Sequence, residues 1–301
     1  MPQTDSSSQT TLPDGTALRA VSVQQTWDRV ITPHRKLLTL PVAEVWRSRY
    51  LLYLFVRRDF VAFYKQTILG PFWFFLQPLL TSLIYMLVFS RIAGLSTDGV
   101  PPLLFYLTGV TCWNYFADCF IKTSETFTAN ASLFGKVAFP RLLVPLSIVI
   151  SNLVKFIIQL SLLTAVCLWY VYQGTVQPHP SLLLAPLVIA LMAAIGLGAG
   201  LIFSAMTTKY RDLRFLIQFG TQLLMYATPV IYPLSMIEGR LRQFMAYNPL
   251  ATLLESFRYG FLGTGEVSTL AIAWTAFACV ATLAVGLIMF NQSEKTFIDS
   301  V

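Results

Sequence analysis

Two sets of side chains in this chain repeat every fourth residue inside otherwise apolar stretches: Trp73, Gln77, Thr81 and Tyr85, and later Gln218, Gln222 and Tyr226. On a helix this spacing draws each set into one stripe. Amides and hydroxyls alternating with ring faces could hydrogen-bond and stack along sugar rings, which is the chemistry of a channel lining. The same side chains could equally serve as polar glue between helices, and the residues alone leave both readings open.

Other reactive types are scattered. Asp118 and Lys155 fall at similar depths in neighbouring apolar runs, where an unpaired charge costs roughly 2.5 to 3.5 kcal/mol, so the two are expected to pair. An ion-coupling role is the sharper alternative. His34 and His179 have no ligand-spaced companion, and Cys112, Cys119, Cys167 and Cys279 lack the short spacing of metal or redox motifs. No metal site is expected. The one Gly-Lys pair, Gly135 and Lys136, is followed by Val137 and lacks the rest of a phosphate-binding loop, so the chain is not expected to bind or hydrolyse a nucleotide.

The elements that must carry these residues are apolar helices. Of 301 residues 55% are hydrophobic and only 12% charged, with a net charge of +7, far from the roughly 25% charged content of a soluble fold. Six stretches reach the roughly 20 residues that a bilayer crossing needs: 70–92, 103–122, 142–172, 181–206, 213–232 and 268–290. With both termini in the cytoplasm, sixteen of the 21 Lys and Arg fall on the inner side, four outside, and Lys155 within a span, in keeping with the enrichment of positive charge in cytoplasmic loops. The basic residues sit between apolar runs, so nucleic acid is not an expected partner.

The expected fold is therefore an all-α integral membrane protein with six transmembrane helices. Residues 1–41 read as a polar cytoplasmic tail, 42–68 as an amphipathic helix in the membrane interface, 69–293 as the transmembrane domain and 294–301 as a short cytoplasmic tail. In the interface segment, Val45, Trp46, Leu51, Leu52, Leu54, Phe55 and Phe60 alternate with Arg47, Arg49, Arg57, Arg58 and Lys65. A charged leader before a span is the plainer alternative. Between Pro233 and Val267, apolar residues interleave with Arg240, Arg242, Asn248, Glu255 and Arg258, which makes a lipid-exposed crossing expensive. Short extracytoplasmic, re-entrant helices of about 234–266 fit better. In the fourth span, Ala190, Ala194 and Gly198 form one line and Gly196, Gly200 and Ser204 another, a pattern for close helix packing.

Taken in order, several short motifs resemble the ABC type 2 permeases of polysaccharide exporters across about residues 42 to 300. They are Arg57-Arg58-Asp59 through Tyr64-Lys65-Gln66-Thr67, Leu69-Gly70, Trp73 and Gln77-Pro78. Then come Asn130 to Pro145 with Lys136, Phe139, Pro140 and Arg141, and Lys209-Tyr210-Arg211-Asp212-Leu213-Arg214. Thr228-Pro229-Val230-Ile231-Tyr232-Pro233, Asn248-Pro249 and Phe257-Arg258 complete the series. The resemblance implies a permease that is not an enzyme by itself. Two copies would form a channel, powered by two copies of a separate nucleotide-binding ATPase subunit that binds the ATP and Mg. The cargo would be a lipid-linked glycan of the O-antigen, capsular or teichoic acid type, crossing the bacterial inner membrane.

It further implies that the first and fifth spans line the channel. Arg47, Arg49, Asn130, Lys136, Phe139, Pro140 and Arg141 would face the ATPase. Pro233, Arg240, Asn248 and Arg258 would belong to an extracytoplasmic gate, and Arg57, Arg58 and Lys65 are placed for a lipid head group. An ion-driven transporter would instead show inverted repeats, and a membrane-embedded glycan-processing enzyme would show clustered acids, bases or metal ligands. Neither pattern is visible.

Overall fold

The computed structural model describes residues 42–65, 68–134, 139–207, 209–210, 212–265 and 267–298, and among them every regular element is a helix. The expected tail 1–41, His34 and Lys136 lie outside the described residues.

The segment expected as one interface helix is two, α1 (Val42–Arg47) and α2 (Arg49–Tyr64), joined at Ser48. Leu51, Leu52 and Phe55 of α2 turn inward, while Trp46, Tyr50 and Tyr53 are exposed beside the arginines. A 3₁₀ turn at Gly70–Phe72 then leads into α3 (Trp73–Tyr85), which continues as a π-helical stretch over Met86–Ile92. The wider π turn re-aims the end of this helix.

Helix α4 (Pro102–Ser124) starts on a proline whose missing N–H costs nothing at a first turn. It is followed by the one-turn helices α5 (Thr126–Ala129) and α6 (Ala131–Phe134), then by the long α7 (Leu143–Tyr172). After a 3₁₀ turn at Pro180–Leu184 come α8 (Ala185–Thr207) and α9 (Leu213–Tyr226). The chain closes with α10 (Gly239–Ala246), α11 (Pro249–Leu262) and α12 (Thr269–Ile298).

Among the described residues, four helical stretches are long and apolar enough to cross a membrane: Gly70–Ile92, Leu143–Tyr172, Pro180–Thr207 and Thr269–Ser293. They coincide with four of the six expected spans. The other two differ for separate reasons. Helix α4 has the length, but Thr108, Thr111, Asn114, Asp118, Lys122 and Thr123 dilute its apolar character, and protein covers most of it. Helix α9 has only 14 residues, about 21 Å at 1.5 Å per residue, because Pro229 cannot continue the backbone ladder.

Helix α4 is the centre of the larger core, with Leu104, Tyr106, Leu107, Phe116 and Cys119 packed against α7, α8 and α11. The two lines of small residues on α8 face different neighbours. A Cβ on Gly200 would come within 2.5 Å of Thr123 Cβ on α4, and one on Gly198 within 2.7 Å of Leu283 Cα on α12. Opposite Gly198, Gly286 of α12 approaches its backbone so closely that no larger residue fits. Removing side chains on both helices lets the backbones touch and dispersion contacts accumulate.

A smaller core lies beneath α2. Phe55, Phe134, Phe139, Phe127 and Phe290 form a connected aromatic series running from α2 through the segment after α6 and α5 to α12. Ring centroids are 5.5 Å apart for Phe55 and Phe139, and 4.8 Å for the stacked Phe127 and Phe290.

Candidate functional site

The stripe on α3 changes environment along its length. Trp73 and Gln77 are exposed, whereas Thr81 and Tyr85 are half-buried. Thr81 donates its hydroxyl to the Gln77 carbonyl at 2.9 Å, and buried Ser82 donates to Pro78 at 2.7 Å, which satisfies both hydroxyls within the helix. Tyr85 packs edge-on to Tyr106 with centroids 6.3 Å apart, and its hydroxyl points at Met225 Sδ 3.8 Å away.

On α9, Ile217 and Thr221 are buried while Gln218, Gln222 and Tyr226 are exposed along one edge of the outer face. Met225 directly precedes Tyr226, so the end of the α3 stripe reaches α9 beside the last residue of its stripe. Exposed amides on helices of this composition need a wet passage or a second protein surface opposite them.

Where α9 ends, α11 holds the broken backbone. Helix α11 is well defined at both ends: Asn248 Oδ1 accepts from the Leu250 N–H at 3.0 Å, Pro249 occupies the first turn, and Gly263 closes it at φ 70°. This fixes Arg258, which is 2% exposed, deep in the core. Its guanidinium donates to the carbonyls of Pro229 and Val230, reaches Glu255 Oε1 at 3.3 Å and lies 3.8 Å from the Phe105 ring centroid.

The carbonyls left without helical partners by the Thr228-Pro229-Val230 break are thus met by one planar donor, the geometry at which arginine excels. Burial pushes the Glu255 carboxyl up, and Arg258 opposes that shift. Of the other expected gate residues, Pro233 is buried ahead of a 3₁₀ turn, Arg240 is exposed and Asn248 is the cap just described. Ser235 in that turn donates to the Asp98 carboxylate at 2.8 Å, tying the loop before α4 to the loop after α9.

Asp118 and Lys155 are brought together, with Nζ 2.7 Å from Oδ2 and side chains 28% and 13% exposed. One turn along, Lys122 Nζ donates to Asn152 Oδ1 at 2.9 Å. These two contacts make a polar ladder between α4 and α7.

Of the residues expected at the ATPase face, Phe139 packs against Phe55 of α2. Arg141 lies 5.4 Å over Phe134, Phe139 bridges Phe55 and Phe134, and Pro140 is buried. Asn130 donates to the Thr126 carbonyl at 3.0 Å. Arg47 and Arg49 are exposed, Arg49 5.6 Å over Trp46. Of the three expected at a lipid head group, Arg57 and Lys65 are exposed, while Arg58 contacts Asp59 at 2.8 Å and lies 5.1 Å over Phe55.

Sequence reasoning missed three contacts. Arg214 at the start of α9 meets Glu125 after α4 at 3.1 Å. His179 accepts from the Ser181 N–H at 3.2 Å and its Nε2 is 3.1 Å from the Tyr259 hydroxyl. Gly109 leaves room for Arg258: a Cβ there would sit 2.7 Å from Nη2. A lone glycine inside α4 was the available signal for the last. No group of three His, Cys, Asp or Glu able to hold a metal occurs among the described residues.

A family profile described as ABC-2 type transporter matches residues 50–262, from α2 through α11. The chain belongs to the ABC-2 type transporter family. An O-antigen export system permease protein RfbA of Klebsiella pneumoniae is 30% identical over 253 residues, covering 83% of this chain and 94% of the relative. The RfbA permease of Myxococcus xanthus is 28% identical over 262 residues, covering 86% and 98%. The polysialic acid transport protein KpsM of Escherichia coli is 21% identical over 233 residues, covering 77% and 89%. This ABC-2 chain is accordingly a membrane permease whose relatives export O-antigen and polysaccharide, and the apolar helices fit that membership.

Proposed function

We propose that this chain is the channel-forming subunit of an ATP-driven exporter that moves a lipid-linked polysaccharide of the O-antigen, capsular or teichoic acid type across the bacterial inner membrane. Two copies pair around the passage. Two copies of a separate nucleotide-binding subunit, which bind ATP and Mg²⁺, dock on the cytoplasmic side. The single observation that carries this reading is the 30% identity to an O-antigen export permease along 83% of the chain and 94% of the relative. The stretch matched to the family holds both polar and aromatic stripes and the segment around Arg141.

In this reading α4 and α9, the latter completed by the turn at 227–232, join the four apolar spans to give six crossings, with both termini cytoplasmic and α10 and α11 capping the outer side. The exposed edges of α3 and α9, with Trp73, Gln77, Gln218, Gln222 and Tyr226, face the passage. Their amides bond sugar hydroxyls and their rings stack on sugar faces. Arg47, Arg49 and Arg141 meet the ATPase, with Lys136 in the same loop. Closure of the ATPase on ATP displaces this segment as a rigid body, and the aromatic series from Phe55 to Phe290 joins it to α2 and α12. The exposed Arg57 and Lys65 are placed for the phosphates of the lipid carrier.

The test is purification of the chain from its native membrane together with deletion of its gene. The expected result is a stoichiometric ATPase partner and lipid-linked glycan accumulating on the cytoplasmic face. Transport by the purified chain without an ATPase, or a reporter fused after Phe290 lying outside the cell, would overturn the proposal.

A further inference from the structure

A shallow crevice, open at its mouth, lies where α8 and α12 begin, and α11 forms its third wall. Leu187 and Leu191 line it from α8, Leu253 from α11 and Ile272 from α12, and among the described residues no charged side chain lines it. Such a lining holds a hydrocarbon chain and rejects a charged head group. Four of its five hydroxyls are already engaged: Ser256 donates to the Thr252 carbonyl at 2.7 Å and Thr252 to the Asn248 carbonyl at 3.5 Å, while Ser181 and Tyr259 lie 3.0 and 3.1 Å from the two ring nitrogens of His179. Thr275 is different. It is fully buried, it lines the crevice, and its Oγ1 has no hydrogen-bond partner in the protein. A buried unpaired hydroxyl costs free energy that a bound acceptor would recover.

Position narrows the occupant. The crevice opens at the first turns of two of the apolar spans, Pro180–Thr207 and Thr269–Ser293. Trp274, the neighbour of Thr275, is partly exposed and donates Nε1–H to the Tyr247 carbonyl at 3.2 Å. A half-exposed tryptophan with a bonded N–H at the start of a span marks the boundary between head groups and acyl chains. That boundary is where the ester carbonyls of a glycerophospholipid lie, and an ester carbonyl is an acceptor that offers nothing a second buried donor would have to match.

We infer that this crevice binds one acyl chain of a glycerophospholipid, with the ester carbonyl accepting the Thr275 hydroxyl and the chain running down between Leu187, Leu191, Leu253 and Ile272. The occupied crevice braces α11, and so Arg258, against the two spans. The inference needs α8 and α12 to cross the bilayer and is independent of the cargo.

Native mass spectrometry of the full-length chain, delipidated and titrated with dipalmitoyl phosphatidylethanolamine or its ether-linked analogue, tests it. The wild type should bind the ester lipid about fivefold more tightly than the ether lipid, the size of one net hydrogen bond. Thr275→Val, which keeps the side-chain shape, should abolish that preference while retaining ether-lipid binding. Leu191→Trp, which fills the crevice, should abolish binding of both. Because Leu191→Trp strains packing, the ester preference in the wild type and its loss in Thr275→Val suffice alone. Equal affinity of the wild type for the two lipids, an ester preference that survives Thr275→Val, or retention of a polyprenyl phosphate in place of a glycerophospholipid would overturn the assignment.

Discussion

The guanidinium of Arg258 lies 3.8 Å from the ring centroid of Phe105 while its nitrogens donate to the backbone carbonyls of Pro229 and Val230. One side chain from α11 thereby grips α4 and the end of α9 at once. Arg258→Ala would leave Glu255 buried without its partner and two carbonyls without donors. Loss of one member of a buried pair costs about 3 to 5 kcal/mol, and the expected outcome is a large drop in melting temperature of the detergent-extracted chain. Glu255→Gln should cost much less, because burial already disfavours the carboxylate. Equal effects of the two changes would contradict the assignment of Arg258 as the organising donor.

The space for that arginine is made by Gly109. A methyl group there meets Arg258 Nη2 at 2.7 Å and the Val230 carbonyl at 2.8 Å, and neither can retreat without breaking the clamp. Gly109→Ala is expected to destabilise by about 1 to 3 kcal/mol, the usual cost of overpacking. Added to Arg258→Ala it should cost little more, since residues in contact are not additive. A double-mutant cycle in thermal unfolding reads this directly.

How much of this was legible beforehand depends on what each residue answers to. The four spans at 70–92, 142–172, 181–206 and 268–290 follow from local apolar content alone, and the structure places helices there. Helices α4 and α9 answer to tertiary surroundings. Polar residues are tolerable in α4 because protein surrounds them, and the break that Pro229 imposes after α9 is tolerable because Arg258, distant in sequence, meets the carbonyls it frees. The Asp118 and Lys155 contact was readable because position along an apolar stretch is a one-dimensional quantity. The Arg214 contact with Glu125 and the His179 contact with Tyr259 were not, because they join loops whose approach the sequence does not encode.

The two lines of small residues on α8 make a prediction about which neighbour fails. Gly198→Val would drive side-chain atoms into the backbone of Leu283 on α12, whereas Gly200→Val would strike Thr123 on α4. Both should lower stability, by at least the 1 to 3 kcal/mol of ordinary overpacking. Cysteine crosslinking between α8 and α12 should fall selectively in Gly198→Val. Equal loss of both helix contacts in either variant would contradict the two-sided packing.

The ladder between α4 and α7 separates a structural pair from an ion-coupling site. If Asp118 and Lys155 hold the helices together, Asp118→Asn and Lys155→Met should each be destabilising and the double change less so than their sum. The expected coupling is about 0.5 to 3 kcal/mol, towards the low end because the pair is partly open to its surroundings. Transport by the wild type and by Asp118→Asn should be equally insensitive to the proton gradient, as an ATP-driven exporter requires. Wild-type transport that collapses with the gradient, together with an Asp118→Asn variant that folds normally and has lost that dependence, would assign Asp118 to ion coupling.

Arg141 offers the sharpest test of how force enters the protein. Its guanidinium lies over Phe134, one member of the aromatic series that reaches Phe290 on α12, so its position is fixed by packing before any partner arrives. Reversing its charge by Arg141→Glu leaves the apolar spans untouched, and membrane insertion should be normal. An acidic group on the ATPase would meet repulsion at this point, and the transport-coupled ATPase rate should fall by tenfold or more, since like charges at an interface cost several kcal/mol and 1.4 kcal/mol is already tenfold. Arg141→Met keeps most of the stacking surface while removing the charge and should give an intermediate loss. If both variants hydrolyse ATP at the wild-type rate while transport proceeds, this segment does not touch the ATPase. If both lose transport and the chain also melts earlier, the aromatic packing beneath Arg141, and not its charge, is what the coupling requires.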